Sequence, residues 1–225
     1  MKIPSLLLCT LFALSTGCSS PGSRPSAAIQ VQVTSTPVPS DLFLDGRPAG
    51  ATPRTLEVAS VDALLQLTAK AGNEELVEKR IRFLAMDRAE VEFTFGTGAS
   101  AMAKALGMAR ILVFDYGTGV TFDVDHSDLK PAFLPLLDRQ AAMLDKHFPG
   151  LDLFICGHTD AQGSQDHNLA LSLARAKAVA ADLAAKGIAK ERMKLEGFGS
   201  TYPLASNQTE RGRALNRRTE LVLPQ

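Results

Sequence analysis

The stretch LDLFICGHTDAQGSQDHNLALSLAR, residues Leu151–Arg175, decides how this chain folds, because it joins a strand, a polar loop and a helix. Leu151, Leu153 and Ile155 alternate between Pro149-Gly150 and Gly157, which predicts a buried strand running out into His158-Thr159-Asp160. Beyond a glycine-containing loop, Leu169, Leu173, Ala176, Ala180 and Leu183 recur at helical spacing, so a helix is expected from about Asn168 to Lys186 with Gly187 as its stop. Asn168, Ser172 and Arg175 fall along one side of that helix, beside the loop that carries Asp160. An acid and an arginine held on separate elements suit a zwitterionic ligand: the carboxylate takes an ammonium, and the guanidinium grips a carboxylate in bidentate fashion. The same two residues would equally serve as an internal ion pair, since buried Asp and Arg are usually paired.

The run GHTDAQGSQDHNLALSLARA, from Gly157 to Ala176, resembles the signature of the OmpA C-terminal-like peptidoglycan-binding domain. GFGSTYP, Gly197–Pro203, and NRRTEL, Asn216–Leu221, resemble that family's closing motifs in the same order. The resemblance covers residues 108–225 and implies a βαβαββ fold that binds the diaminopimelate of the peptidoglycan stem peptide. By position Asp160 and Arg175 match the family's ligand-holding pair, and Asn168 and Asp123 match its supporting contacts. Asn216 and Arg217 stand beside them in the closing motif, and Thr159 approaches through its backbone. Either Arg217 or Arg218 is expected to face Asp160 or Asp123 and hold the acids ionised.

In order along the chain, residues 1–17 have Lys2, the apolar run Leu6–Leu14 and a small-residue end, the pattern of a secretory signal too short to span a membrane. The residues before Cys18 resemble a bacterial lipobox, with Ser15 where that pattern prefers Leu, which implies a lipidated Cys18 and an outer-membrane anchor facing the periplasm. Residues 18–28 are small, polar and proline-containing, a tether. Residues 29–95 then read as short strands around Ile29–Val33, Leu42–Leu44, Leu56–Val58, Leu64–Thr68, Lys79–Phe83 and Ala89–Phe95, a small all-β sandwich. Pro37, Asp45-Gly46, Gly50 and Thr52-Pro53 give this part a resemblance to the PEGA domain, without that family's namesake tetrapeptide. Residues 96–107 form a Gly/Ala linker.

In the second unit, Arg110–Tyr116 and Val120–Val124 read as a hairpin about Gly117-Thr118-Gly119. A helix follows whose mid-pattern Pro135 demands either a kink or a start later than Asp128. Met193–Phe198 and Arg218–Leu223 are further strands, and Ser200–Leu215 is a loop. The fold class is therefore α+β, a PEGA-like sandwich followed by an OmpA-like domain.

Lys+Arg and Asp+Glu number 24 each, which supplies no field for nucleic acid. After the signal is removed and Cys18 lipidated, Cys156 alone is left, and it reads as core. His158, Asp160 and His167 can be written as a metal constellation, but a zinc site needs three well-placed ligands and a second shell. The expectation is a binding protein without cofactor, metal or catalysis. It tethers the outer membrane to diaminopimelate-type peptidoglycan. The alternative is an accessory of a secretion or motility complex, anchored to peptidoglycan while the PEGA-like unit holds a protein partner.

Overall fold

The computed structural model describes residues 28–116 and 121–225. The expected signal, Cys18, the tether up to residue 27 and the Gly117-Thr118-Gly119 turn lie outside the described residues. The elements are β1 (Ile29–Thr36), β2 (Asp41–Leu44), β3 (Arg47–Ala51), β4 (Arg54–Val58), α1 (Val61–Gln66), β5 (Thr68–Lys70), β6 (Leu76–Ala85), β7 (Arg88–Phe95) and α2 (Ala101–Ala105). They continue with β8 (Ile111–Tyr116), α3 (Leu134–His147), β9 (Leu153–Gly157), α4 (Gln165–Ala185), β10 (Met193–Gly197), α5 (Glu210–Asn216) and β11 (Thr219–Pro224). The mixed α and β architecture is the one the sequence predicts.

The strands sort into an eight-stranded sheet ordered β10-β9-β11-β8-β6-β7-β1-β4 and a three-stranded sheet ordered β3-β2-β5. The large sheet runs through both expected units. β6 pairs in parallel with β8, from Glu78 opposite Ile111 to Phe83 opposite Tyr116. Phe83, Phe93, Phe114, Phe133 and Leu137 accordingly share one hydrophobic core. Arg139 of α3 reaches across the same seam, with its guanidinium 4.4 Å from the Phe83 ring centre.

Two expected strands are corrected. Leu64 belongs to α1, which Ser60 caps by accepting from the Ala63 N–H at 3.2 Å. The Lys79 ammonium holds the other end of that helix, donating to the carbonyls of Leu64, Leu65 and Leu67. The described part of the second, Thr121–Val124, is not a strand. β8 has β6 on one edge and β11 on the other, so no row of backbone groups is left for a hairpin partner.

Of the two outcomes that Pro135 allowed, the late start is the one adopted. A 3-10 turn spans Pro131–Phe133 and α3 begins at Leu134, which leaves Pro135 in the first turn where its missing N–H costs nothing. α4 begins three residues earlier than expected, at Gln165, capped by the Ser164 hydroxyl. It lies almost on the backbone of its neighbours. A Cβ at Gly157 would stand 1.9 Å from the Ser172 carbonyl oxygen, and one at Gly197 would stand 2.8 Å from Ser172 Oγ. Ser172 Oγ also accepts the Gly199 N–H at 3.0 Å. Glycine at these positions sets the height of α4 over β9 and so puts Arg175 above the strand end.

Candidate binding pocket

Past Gly157 the chain leaves the sheet under backbone control: the His158 N–H donates to the Arg218 carbonyl and the Thr159 N–H to the Gly199 carbonyl, both at 2.9 Å. The His158 ring turns inward. It is buried, stacks on Phe198 at 5.5 Å, and brings Nε2 to 3.6 Å from Glu220 Oε2. Burial, aided by the Arg218 charge, lowers its pKa to about 4, against the pull of Glu220. Asp160 turns the other way, into the pocket. Its Oδ1 accepts the Gln162 N–H at 2.9 Å and its Oδ2 accepts from Arg217 Nη1 at 2.7 Å. Arg217 also holds Glu210, at 2.6 Å.

Arg175 stands 1 % exposed across the pocket from this pair. Its Nε donates to the His126 carbonyl at 2.9 Å, Nη1 to the His158 carbonyl at 3.3 Å and Nη2 to the Asp123 carbonyl at 3.1 Å. The guanidinium lies over the Phe122 ring at 5.1 Å. Among the described residues no carboxylate comes within 4.0 Å of it, so the internal Asp160–Arg175 pair does not form. Burial, reinforced by the Arg217 charge, lowers its pKa to about 10, and the more distant Asp160 and Asp125 oppose the shift. A guanidinium has five N–H donors, so three carbonyl bonds leave two unspent.

The cavity between these groups measures about 200 Å³. Thr159, Asp160, Asn168, Arg175 and Arg217 line it, so five of the seven expected site residues converge. Asn168 does so while its amide holds the Gln162 carbonyl at 2.8 Å. The other two take different places. The Asp123 carboxylate points outward to Lys130 at 2.9 Å, and only its backbone carbonyl reaches Arg175. Asn216 is fully buried beneath the loop, accepting from Leu204 and Ala205 and donating to Asn207 Oδ1, which in turn accepts the Ala161 N–H. Its work is to shape the loop that shapes the pocket.

Arg218 goes to Glu220 and the Tyr202 carbonyl, so of the two candidate arginines Arg217 is the one at the pocket. The aliphatic lining, Val124 and Leu171, and the rim pair Asp125 and His167 were not expected. His158, Asp160 and His167 do not gather: each is committed to a different neighbour, Glu220, Arg217 and Asp125 respectively. Among the described residues no group of three His, Cys, Asp or Glu side chains is placed to hold a metal. Cys156 is buried, which pushes its thiol pKa up. Chemically the site offers a dry guanidinium with open donors, facing an acid across a small, partly aliphatic cavity.

The family model described as the OmpA family matches residues 121–217. The probable lipoprotein YiaD of Escherichia coli is 38% identical over 112 residues, covering 50% of this chain and 51% of that protein. The peptidoglycan-binding protein ArfA of Mycobacterium tuberculosis is 43% identical over 107 residues, covering 48% of this chain and 32% of ArfA. The chain thus spans about half of the first relative and a third of the second. The crystal structure of the peptidoglycan-associated lipoprotein from Burkholderia pseudomallei is 35% identical, covers 46% of this chain and 87% of its own, and has a TM-score of 0.44. The chain carries an OmpA-family domain at residues 121–217, the span that contains every residue lining the pocket.

Proposed function

We propose that this protein binds peptidoglycan without covalent chemistry, by clamping the diaminopimelate end of a stem peptide in the pocket. The observation that carries the reading is Arg175, a buried guanidinium fixed by three carbonyls, with no carboxylate of its own and two N–H donors to spare. A ligand carboxylate completes that group, and Asp160, which retains lone pairs beyond those used by Arg217 and Gln162, takes the ligand ammonium. Val124 and Leu171 cover the aliphatic stem between the two charges. Relatives named for peptidoglycan support peptidoglycan as the polymer bound. With Cys18 lipidated, residues 18–28 as tether and a PEGA-like first part, the protein is an outer-membrane lipoprotein that ties the envelope to its wall. It acts as a binder and not as an enzyme.

The test is co-sedimentation with diaminopimelate-type sacculi alongside the thermal midpoint. Arg175→Ala and Asp160→Ala each leave a buried partner charge uncompensated in the complex, which costs roughly 2–5 kcal/mol of binding. That is a loss of about thirtyfold or more, at 1.4 kcal/mol per decade. Lysine-type sacculi, which lack the second carboxylate, are expected to bind poorly even to the wild type. A folded Arg175→Ala protein that sediments like the wild type removes the ligand assignment.

A further inference from the structure

His167 and Asp125 both line the pocket and pair with each other, although they are 42 positions apart. His167 lies in the first turn of α4, and its Nε2 meets Asp125 Oδ1 at 2.6 Å. Asp125 sits on the irregular segment between β8 and α3, in the left-handed backbone region at φ +61°. A non-glycine residue holds that conformation at a cost, Asp and Asn at the least cost. The two neighbours that matter stand on either side of it: Asp123 and His126 supply two of the three carbonyls that hold Arg175. One side chain from α4 therefore ties down the very segment on which another side chain of α4 depends.

We propose that the His167–Asp125 pair is a latch that positions Arg175, holding the carbonyl-bearing segment against α4 while a ligand carboxylate engages the guanidinium. His167 and Asp125 are positioning residues here, and the inference rests on the peptidoglycan-binding reading above. The other charged groups lining the cavity are Arg175 on the same helix, and Asp160 and Arg217 across from it. The other histidine on the segment is His126. The His167 and Asp125 side chains are 52% and 65% exposed, which limits the latch to a two- to fivefold effect on affinity.

The test uses the full chain with diaminopimelate-type sacculi, for wild type, His167→Gln, Asp125→Asn and the double variant, with His126→Gln as the control. Asparagine is chosen at 125 because it tolerates the left-handed backbone. Solvent exchange of the Arg175 Nε–H, followed by NMR, reports the tether itself. His167→Gln and Asp125→Asn are each expected to weaken binding two- to fivefold, with the double no worse, and to speed the Nε–H exchange. His126→Gln, which leaves the backbone carbonyl at 126 in place, binds like the wild type. Equal binding by wild type and His167→Gln overturns the latch. Should the wild type not bind sacculi, the ligand reading fails separately, and the exchange rate decides: faster in His167→Gln upholds the latch, unchanged overturns it.

Discussion

Arg80 and Arg175 are both buried, and the chain treats them in opposite ways. Arg80, on β6 at the seam with β8, is surrounded by acids: Glu78 at 2.8 Å, Glu220 at 2.5 Å and Asp115 at 3.7 Å. Burial alone would lower its pKa, and the three carboxylates overcome that and raise it. Arg175 has only carbonyl dipoles, and its pKa falls to about 10. Where the protein needs an arginine for its own cohesion it supplies counter-charges, because an uncompensated buried ion costs several kcal/mol. On the reading proposed above, a guanidinium left without one is completed from outside, by the ligand carboxylate. The seam and the pocket use the same chemistry, and what separates them is whether the anion is built in.

The seam gives the largest expected effect. Arg80→Met leaves Glu78 buried without its cation and Glu220 with Arg218 alone, and breaking a buried pair in this way costs about 3–5 kcal/mol. Because β6 and β8 are hydrogen-bonded neighbours in one sheet, residues 29–95 and 108–225 are expected to melt together, in the wild type and at a lower temperature in the variant. Scanning calorimetry resolving two independent transitions would break the comparison, since the seam would then be a contact between separately stable parts. A chain lacking 29–95 sharpens it further. It would expose one edge of β8 and strip Glu220 of Arg80, and is expected to lose soluble, cooperative folding.

Much of the pocket was legible in sequence, and almost none of the seam. Strand alternation, the glycine stops and the helical repeat of β9 and α4 are local signals, so the convergence of Asp160, Asn168 and Arg175 followed from them. The parallel pairing of β6 with β8 joins residues about thirty apart across a linker, and no period in the sequence reports it. Arg217 and Arg218 show the limit in miniature. Neighbouring residues at a strand end point to opposite faces, so one of the pair had to face the pocket and the other the seam, but only the register of β11 decides which. α5 was missed inside an expected loop although Thr209 accepts from the Gly212 N–H as a helix cap should.

His158 belongs to both regions, and titrating it tests whether they are coupled. Its ring faces Glu220, itself held by Arg218 and Arg80, while its carbonyl accepts from Arg175. A folded pKa of about 4 against an ordinary 6.5 means that below pH 6.5 the unfolded chain takes up a proton that the folded chain refuses. Stability from this group is complete above pH 6.5 and drains as the pH falls toward 4, by about 3 kcal/mol in all. Denaturant melts from pH 7 to pH 4 are expected to show that slope in the wild type and a flatter one in His158→Gln. An equal slope in both would place the acid sensitivity in other groups and uncouple the seam from the pocket.

The smallest expected effect on stability comes from a change that touches no charge in either region. At Gly157 an added Cβ would meet the Ser172 carbonyl oxygen at 1.9 Å, a backbone atom that cannot swing aside as a side chain would. Ordinary contact requires the helix or the strand to retreat by more than about 1 Å. Overpacking of this kind costs about 1–3 kcal/mol, less than breaking the seam. The pocket is expected to suffer out of proportion, because Arg175 lies one turn beyond Ser172 on α4, whereas the His158 carbonyl it needs belongs to the residue after Gly157. A binding site loses function when its groups shift by more than about 0.5 Å. Gly157→Ala should therefore bind sacculi at least tenfold more weakly while remaining folded at the assay temperature, and Arg80→Met, measured well below its own melting point, should bind nearly as well as the wild type. If the order is reversed, with the seam variant losing affinity and the glycine variant keeping it, the pocket is set by the charges at the seam and not by the height of α4 over β9.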